Sequence, residues 1–342
     1  MNDFYGKATA FRIGVFMKRK KISTLLALLL GLTALGGCTN TDQKVGFANF
    51  WSSNSTGSEE EIHETLVYDV AFEGTTASFV SYTLNYKDGK YTTVLTSAKE
   101  NDKTVYTYTT ELSITAQYTL NGVTEECQDM VTSTVKFYAA TYGLQPISSE
   151  KEWKASTPNG TTGTKTSECY SQYHYTSKIV YNEDCSEGTS TVTQYLSEGD
   201  PKADEHTFAI DQKKFRFLDN EQVLLALRAV RNSTSSAKVN AYSPFVEAVQ
   251  QVSWKFDADK SAEFSFYKNG SEEKVKSTIT YRPVSIVLSE KNPGATQTAW
   301  IAKKPETSSS TNTNRNVMLR LETPLSYNLG KLVYTLNSVS YQ

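Results

Sequence analysis

The chain has 342 residues, a formal net charge of −2 and an isoelectric point of about 6.0. This balance offers no basis for binding nucleic acid, which needs a basic patch or stripe. The three histidines are far apart and no Cys-x-x-Cys pair occurs, so the pattern of a zinc site is missing. Gly-x-Ser-x-Gly, His-Glu-x-x-His and phosphate-binding glycine motifs are missing too. We therefore predict a protein that is not an enzyme and that needs no metal or cofactor.

The most informative stretch is residues 17–38. It begins with Met17 and four basic residues, continues with an apolar run over residues 22–35, and ends in two glycines and a cysteine. The apolar run is shorter than the roughly 20 residues that a membrane-spanning helix needs. A basic head, a short apolar segment and small residues before a cleavage site are typical of a secretory signal peptide.

The end of this segment resembles the lipobox of bacterial lipoproteins, and it consists of Leu35, Gly36, Gly37 and Cys38. The resemblance implies that the Cys38 sulfur carries a diacylglycerol with acyl chains such as palmitate, and that cleavage makes Cys38 the new N-terminus. Two acyl chains on one sulfur would give lasting membrane attachment. We expect the rest of the chain to lie outside the cytoplasm, anchored to the cell membrane.

The segments on either side of the signal peptide complete the predicted organisation. Residues 1–16 have no role in export, and we predict that Met17 is the initiator and that residues 1–16 are an upstream extension assigned in error. Residues 39–62 are polar and of low complexity, which predicts a flexible tether. Its aromatic residues either lie in the lipid interface or dock on the folded domain, and they are Phe47, Phe50 and Trp51.

Residues 63–342 are predicted to form a single antiparallel β domain. Apolar and polar residues alternate most clearly at residues 112–120, a run that ends at the turn dipeptide Asn121-Gly122. Asp88-Gly89 lies between two β-rich runs and predicts a hairpin turn. Asn269-Gly270 predicts another turn. Turn signals that recur without intervening helices indicate an antiparallel sheet.

One segment is predicted to be helical, near residues 219–231. Asp219 is a good N-cap, and Gln222 three residues later completes a capping-box pattern. The apolar face of this helix contains Val223, Leu224, Leu227 and Val230, with Glu221, Arg228 and Arg231 elsewhere. We expect it to be the main α-helix and to lie on the concave side of the sheet.

The cysteines other than Cys38 are odd in number. Cys169 and Cys185 flank a tyrosine-rich strand and its following turn, and we predict a disulfide between them that leaves Cys127 as a free buried thiol. Three unpaired cysteines are the alternative, because an exported location permits disulfides without requiring them.

Three segments together resemble the DUF3108-type bacterial envelope proteins, whose sheet is similar to the half-open barrel of the LolA-like lipoprotein carriers. They are residues 137–146 (Phe-x-x-x-Thr-x-x-Leu-x-Pro), 219–228 and 293–300. The resemblance implies a large curved antiparallel sheet, an open half-barrel whose apolar concave face is partly covered by the helix. It also implies a hydrophobic ligand, with candidate lining residues Leu224, Leu227, Trp254, Phe264, Phe266 and Trp300.

Our leading hypothesis is a membrane-anchored cell-envelope lipoprotein that binds a small hydrophobic, lipid-like ligand or an envelope protein on its curved sheet. A structural or adhesive surface protein that binds protein or glycan is one alternative. An envelope hydrolase is another, and it would require His174 or His206 to meet a serine and a carboxylate within hydrogen-bond reach.

Overall fold

A computed structural model describes residues 44–48, 50–51, 62–74, 81–160, 163–196, 199–287, 296–303, 315–325 and 329–341. The predicted signal peptide, with Cys38 and the rest of the lipobox, lies outside these ranges. None of the helices in the described ranges has the length and apolar character required to span a membrane.

Sixteen strands form one sheet, which confirms the prediction of a mainly β, antiparallel protein. Two pairings, β9 with β10 and β12 with β16, are parallel, and the other pairings are antiparallel. The strands are β1 His63–Gly74, β2 Thr83–Glu100, β3 Lys103–Leu120, β4 Val123–Tyr138, β5 Pro146–Pro158, β6 Tyr170–Tyr181, β7 Glu187–Tyr195, β8 Lys202–Ala209, β9 Arg216–Leu218, β10 Ser236–Ser243, β11 Ala248–Phe256, β12 Lys260–Lys268, β13 Val275–Val287, β14 Gln297–Ala302, β15 Met318–Pro324 and β16 Gly330–Tyr341.

The strand order combines a closed ring with an open meander. The order is β8-β7-β6-β5-β4-β3-β2-β1-β16-β15-β14-β13-β11-β10-β9, and β12 pairs with both β13 and β16. Strands β12 to β16 therefore close into a five-stranded barrel. Strands β1 to β8 continue from β16 as an antiparallel meander in which each strand pairs with the next along the chain.

The two ends of the strand order meet through side chains. Phe208 of β8 stacks on Tyr242 of β10 with ring centroids 3.7 Å apart and an interplanar angle of 2°. Tyr181 of β6 contacts Phe217 of β9 edge to face, with centroids 5.7 Å apart. These rings belong to one buried cluster, so aromatic packing brings the two ends of the sheet together.

The predicted hairpin turn at Asp88-Gly89 is wrong, because β2 continues through these residues. The register with β3 shifts between Lys87 and Lys90, and Asp88 has a φ of 55°. Such an interruption is a β-bulge, which uses the same residue types as a tight turn. A Cβ on Gly89 would collide with the carbonyl oxygen of Val70 on β1, so the close approach of the two strands requires glycine here.

The other two turn predictions are confirmed. Asn121-Gly122 joins β3 to β4 with φ values of 52° and 80°, as a type I′ turn requires. Asn269-Gly270 follows β12 with φ values of 48° and 74°. Asn101-Asp102, which the sequence analysis did not single out, makes the turn from β2 to β3 with φ values of 50° and 62°.

The predicted helix is present but much shorter than expected. A 3-10 turn at Asn220–Gln222 leads into α1, Val223–Ala226, and a second 3-10 turn follows at Leu227–Ala229. The capping box is confirmed, since Asp219 Oδ1 accepts a hydrogen bond from the Glu221 amide at 2.8 Å and the Asp219 amide donates to Gln222 Oε1 at 3.0 Å. The helical segment ends early because Val230 is extended and forms a β-bridge with Phe47.

Arg228 was predicted to lie away from the apolar face of the helix, and this prediction is wrong. The side chain is buried and pairs with Glu64 of β1, with Nη1–Oε1 and Nη2–Oε2 distances of 2.6 and 2.8 Å. Its Nε donates to the carbonyl oxygen of Asn316 at 3.0 Å. The bidentate partner allows a charged side chain to lie in the core.

The N-terminal segment, residues 44–48 and 50–51, differs from the predicted polar tether because it packs on the domain. The Ala48 amide donates to the Ala229 carbonyl at 2.8 Å. Trp51 is fully buried and contacts Tyr106 edge to face at 5.5 Å. Phe47 is also buried. Of the two alternatives left open for these aromatic residues, Phe47 and Trp51 therefore dock on the folded domain.

The predicted disulfide between Cys169 and Cys185 is wrong. Both residues, like Cys127, are buried free thiols. Cys169 directly precedes β6 and Cys185 follows its end, and a strand of this length spans roughly 40 Å at about 3.3 Å per residue. A disulfide requires Cα atoms within about 7 Å of each other. The two thiols accordingly lie in different clusters, with Tyr118 beside Cys169 and Phe208 beside Cys185.

Asp129 on β4 provides a prediction about pH. Its buried carboxylate accepts hydrogen bonds from the Ser156 amide at 2.7 Å and the Ser156 hydroxyl at 3.0 Å, but burial raises its pKa to about 6. This folded-state pKa lies above the unfolded value, so protonation of Asp129 stabilises the fold. That contribution to the free energy of unfolding is complete below about pH 4 and is lost as the pH rises through about 6.

We expect Asp129→Asn to remove this loss. The free energy of unfolding of the variant, relative to the native chain, should increase by as much as roughly 3 kcal/mol between about pH 4 and about pH 7. Urea denaturation of both proteins across this range measures the difference. Parallel stability curves for the two proteins would contradict the assignment to Asp129.

Candidate functional site

The six predicted ligand-lining residues all take part in the main hydrophobic core. Leu227, Trp254 and Phe266 are buried in it, and Leu224, Phe264 and Trp300 are half-buried against it. Trp300 stacks on Tyr281 with centroids 5.0 Å apart, and Phe264 contacts Tyr281 edge to face at 5.6 Å. These contacts explain the burial of Phe264 and Trp300 by protein packing, so their role in lining a ligand cavity stays a prediction.

Trp254 differs from the others because it also lines a surface cleft. This cleft, the β10–β11 cleft, has a volume of about 600 Å3. Its walls are residues 44–46, 233–238 and 253–255, with Ser285 and Val287. A volume of this size is within the range of small-molecule sites, roughly 300 to 1,000 Å3.

Three paired strands and two connecting segments build the cleft. At the start of β10, Ala237 pairs with Trp254 of β11, which pairs in turn with Ile286 of β13. The preceding segment is fixed by a turn, in which the Thr234 amide donates to the Arg231 carbonyl at 3.1 Å. The N-terminal segment forms the remaining wall, since its bridge to the end of the helical segment places residues 44–46 beside β10.

The charge of the cleft is positive. Lys44, Lys238 and Lys255 line it, and no acidic side chain does so among the described residues. Lys44 and Lys255 are exposed, and neither makes an ion pair within the described ranges. Arg231 adjoins Gly46 at the N-terminal wall. The remaining polar groups are hydroxyls, contributed by Ser233, Thr234, Ser235, Ser236, Ser253 and Ser285.

Two buried polar atoms of cleft-lining residues lack a hydrogen-bond partner in the part of the chain that the structure describes. They are the indole Nε1 of Trp254, whose side chain is 1% exposed, and the hydroxyl oxygen of Ser253. Buried polar groups in native proteins are nearly always hydrogen-bonded, to a ligand or water if not to protein. A tryptophan Nε1 is a donor only, so the missing partner of Trp254 is an acceptor.

The cleft over β4–β6 is a weaker candidate. It has a volume of about 420 Å3 and contains several charged side chains. Those side chains already have partners, as in the Lys178–Glu150 pair at 3.0 Å and the Lys151–Glu221 pair at 3.0 Å. Lys44 and Lys255, which make no ion pair in the described ranges, and the unpartnered Ser253 hydroxyl distinguish the β10–β11 cleft.

The two strand histidines contact a carboxylate or aromatic rings, and His206 pairs with Ser190 across β7 and β8. His174 Nε2 lies 2.8 Å from Glu152 Oε1, and its ring stacks on Tyr195 at 4.2 Å. His206 stacks with Tyr242 at 6.0 Å. Within the described ranges neither histidine ring is hydrogen-bonded to a serine, and no group of three or more potential metal ligands occurs there.

Solved structures include a chain that is similar to this one. No family model matches the chain, and no curated protein matches it. The crystal structure of a beta-barrel-like protein of domain of unknown function DUF1849 from Brucella abortus is 9% identical, with a TM-score of 0.45, over 82% of this chain and 98% of that chain. The resemblance to the DUF3108-type proteins stays a prediction.

Proposed function

We propose that this protein is an exported, non-enzymatic envelope lipoprotein, anchored through a diacylglycerol on Cys38, that binds a small lipid-like ligand in the β10–β11 cleft. The observation that supports binding is the unpartnered Ser253 hydroxyl at a cleft of about 600 Å3. Val45, Ala237 and Val287 add apolar surface to the polar cleft. A ligand with an apolar body and a hydrogen-bond acceptor suits this mixture.

Native mass spectrometry tests the binding function. The chain from Thr39 to Gln342, which contains every described strand, is purified from a bacterial host without the anchor. We expect a bound mass of a few hundred daltons that is lost on solvent extraction and is identified as a lipid. Ser236→Trp, at an exposed position in the cleft wall, should abolish the bound mass, because the indole ring would occupy space in the cleft that the ligand needs.

Val123→Trp is the matched control, because Val123 is exposed and lies outside the cleft. It should retain the ligand. A chain without bound mass that also takes up no added fatty acid or phospholipid would overturn the binding function. Lipid attachment is tested by mass spectrometry of the full-length chain expressed in the same host. We expect a diacylglycerol adduct that is absent from the Cys38→Ser variant.

A further inference from the structure

We propose that the β10–β11 cleft holds the phosphate-bearing headgroup of an anionic phospholipid from the membrane to which the chain is attached. This inference rests on the proposed function, since it places the cleft beside the lipid anchor. It specifies the ligand by charge, by hydrogen bonding and by location.

The charge of the cleft selects an anion. Lys44 and Lys255 stand at its surface, and no carboxylate among the described residues lines it. A neutral acyl chain or a sterol would leave these charges without a role. A phosphodiester carries one negative charge and accepts charge-assisted hydrogen bonds from ammonium groups.

An unpartnered hydroxyl adds a hydrogen-bonding group. The Ser253 hydroxyl has no partner among the described residues, and Ser253 shares one face of β11 with Lys255, while Trp254 between them packs into the core. A phosphodiester oxygen accepts from both a hydroxyl and an ammonium group. The hydroxyls of Ser235, Ser236 and Ser285 line the same cleft and suit the glycerol part of a headgroup.

The position of Lys44 selects a membrane lipid over a free anion. Lys44 follows Cys38 by six residues, so its Cα lies at most about 20 Å from that of Cys38 even in a fully extended chain. With Cys38 acylated, the cleft is held close to the bilayer surface. The cleft is also much larger than an inorganic phosphate requires, and part of its wall is apolar.

Vesicle co-sedimentation of the unanchored chain from Thr39 to Gln342 tests the proposal. We expect binding to vesicles of phosphatidylcholine with phosphatidylglycerol, and little binding to phosphatidylcholine alone. Lys44→Ser with Lys255→Ser should weaken binding about 30-fold, since each lysine near an anionic surface contributes on the order of 1 kcal/mol. Lys90→Ser with Lys154→Ser makes the same charge change at exposed sites outside the cleft and should leave affinity unchanged.

Ser253→Ala tests the hydrogen bond separately from charge. It removes the unpartnered hydroxyl and leaves the lysines in place, and we expect about tenfold weaker binding to the anionic vesicles. Ser253 is only half-buried, so the variant should fold. Ser148→Ala is the control, because Ser148 is half-buried on β5 outside the cleft.

Three outcomes would overturn the proposal: equal affinity for the two vesicle types, equal loss in the two double-lysine variants, or unchanged binding in Ser253→Ala. Titration with inorganic phosphate and with dihexanoyl phosphatidylglycerol separates a free anion from a lipid. Equal affinity for these two would also reject the lipid. A neutral lipid found by native mass spectrometry, with no preference for anionic vesicles, would reject this headgroup while leaving the proposed binding function intact.

Discussion

Replacing Glu64 by glutamine is expected to destabilise the protein by about 3 to 5 kcal/mol, because it leaves the Arg228 guanidinium charged and unpaired in the core. The two side chains are 1% and 3% exposed and are joined by two hydrogen bonds. Arg228 also links the helical segment to residues 315 and 316 through their carbonyl oxygens. Urea denaturation at neutral pH measures the loss, and Arg228→Met should cost a similar amount.

The double variant Glu64→Gln with Arg228→Met is the decisive control. Removing both charges eliminates the unpaired ion, so the double variant should be less destabilised than either single variant. A cost equal to the sum of the two single costs would contradict this account. A cost below about 1 kcal/mol for Glu64→Gln would also contradict it, since so small a contribution is typical of a solvent-exposed ion pair.

Asp219→Ala is expected to be comparably damaging, at about 3 to 7 kcal/mol. Its carboxylate is fully buried, caps the helical segment, and accepts hydrogen bonds at 2.6 Å from the hydroxyls of both Ser149 and Tyr181. Loss of the cap costs roughly 1 kcal/mol, and each buried hydroxyl left without an acceptor costs about 1 to 3 kcal/mol.

Thermal and urea unfolding of Asp219→Ala, Ser149→Ala and Tyr181→Phe separate these contributions. Each hydroxyl deletion removes one donor and leaves the carboxylate with its other partners, so each should cost less than Asp219→Ala. Burial, with the nearby charge of Glu221, raises the pKa of Asp219, so its remaining donors are needed to stabilise the charged form. An Asp219→Ala cost no greater than that of a surface cap would show that the two hydroxyls find other acceptors.

The sequence predicts local motifs correctly where the residue pattern is compatible with one backbone conformation. The Asp219 and Gln222 capping box and the Asn121-Gly122 turn depend on residues a few positions apart, and both are confirmed. The prediction at Asp88-Gly89 is wrong because a bulge and a hairpin turn favour the same residue types, and Asp88 with its φ of 55° suits either, while the pairing partners of β2 show a bulge. The predicted Cys169–Cys185 disulfide is wrong because the extended strand β6 lies between the two cysteines and holds them far apart in space.

The candidate site was largely invisible in the sequence. Trp254 was selected as a ligand-lining residue, but Lys44 was assigned to a tether and Lys255 was not singled out. Lys44 joins Trp254 only because the N-terminal segment bridges to Val230, a contact between residues far apart in the chain. Arg228 was likewise placed off the apolar face, since helical periodicity cannot indicate a buried partner on β1.

The position of β16 near the end of the chain determines at what point during synthesis the five-stranded ring can form. β16 is the last described strand, yet it pairs with β1, β12 and β15, and Glu64 lies opposite Tyr341. Neither the ring nor its junction with the meander can close before nearly all of the chain has been synthesised. Such non-local pairing implies slow folding, so we expect the ring to stay open until synthesis is nearly complete.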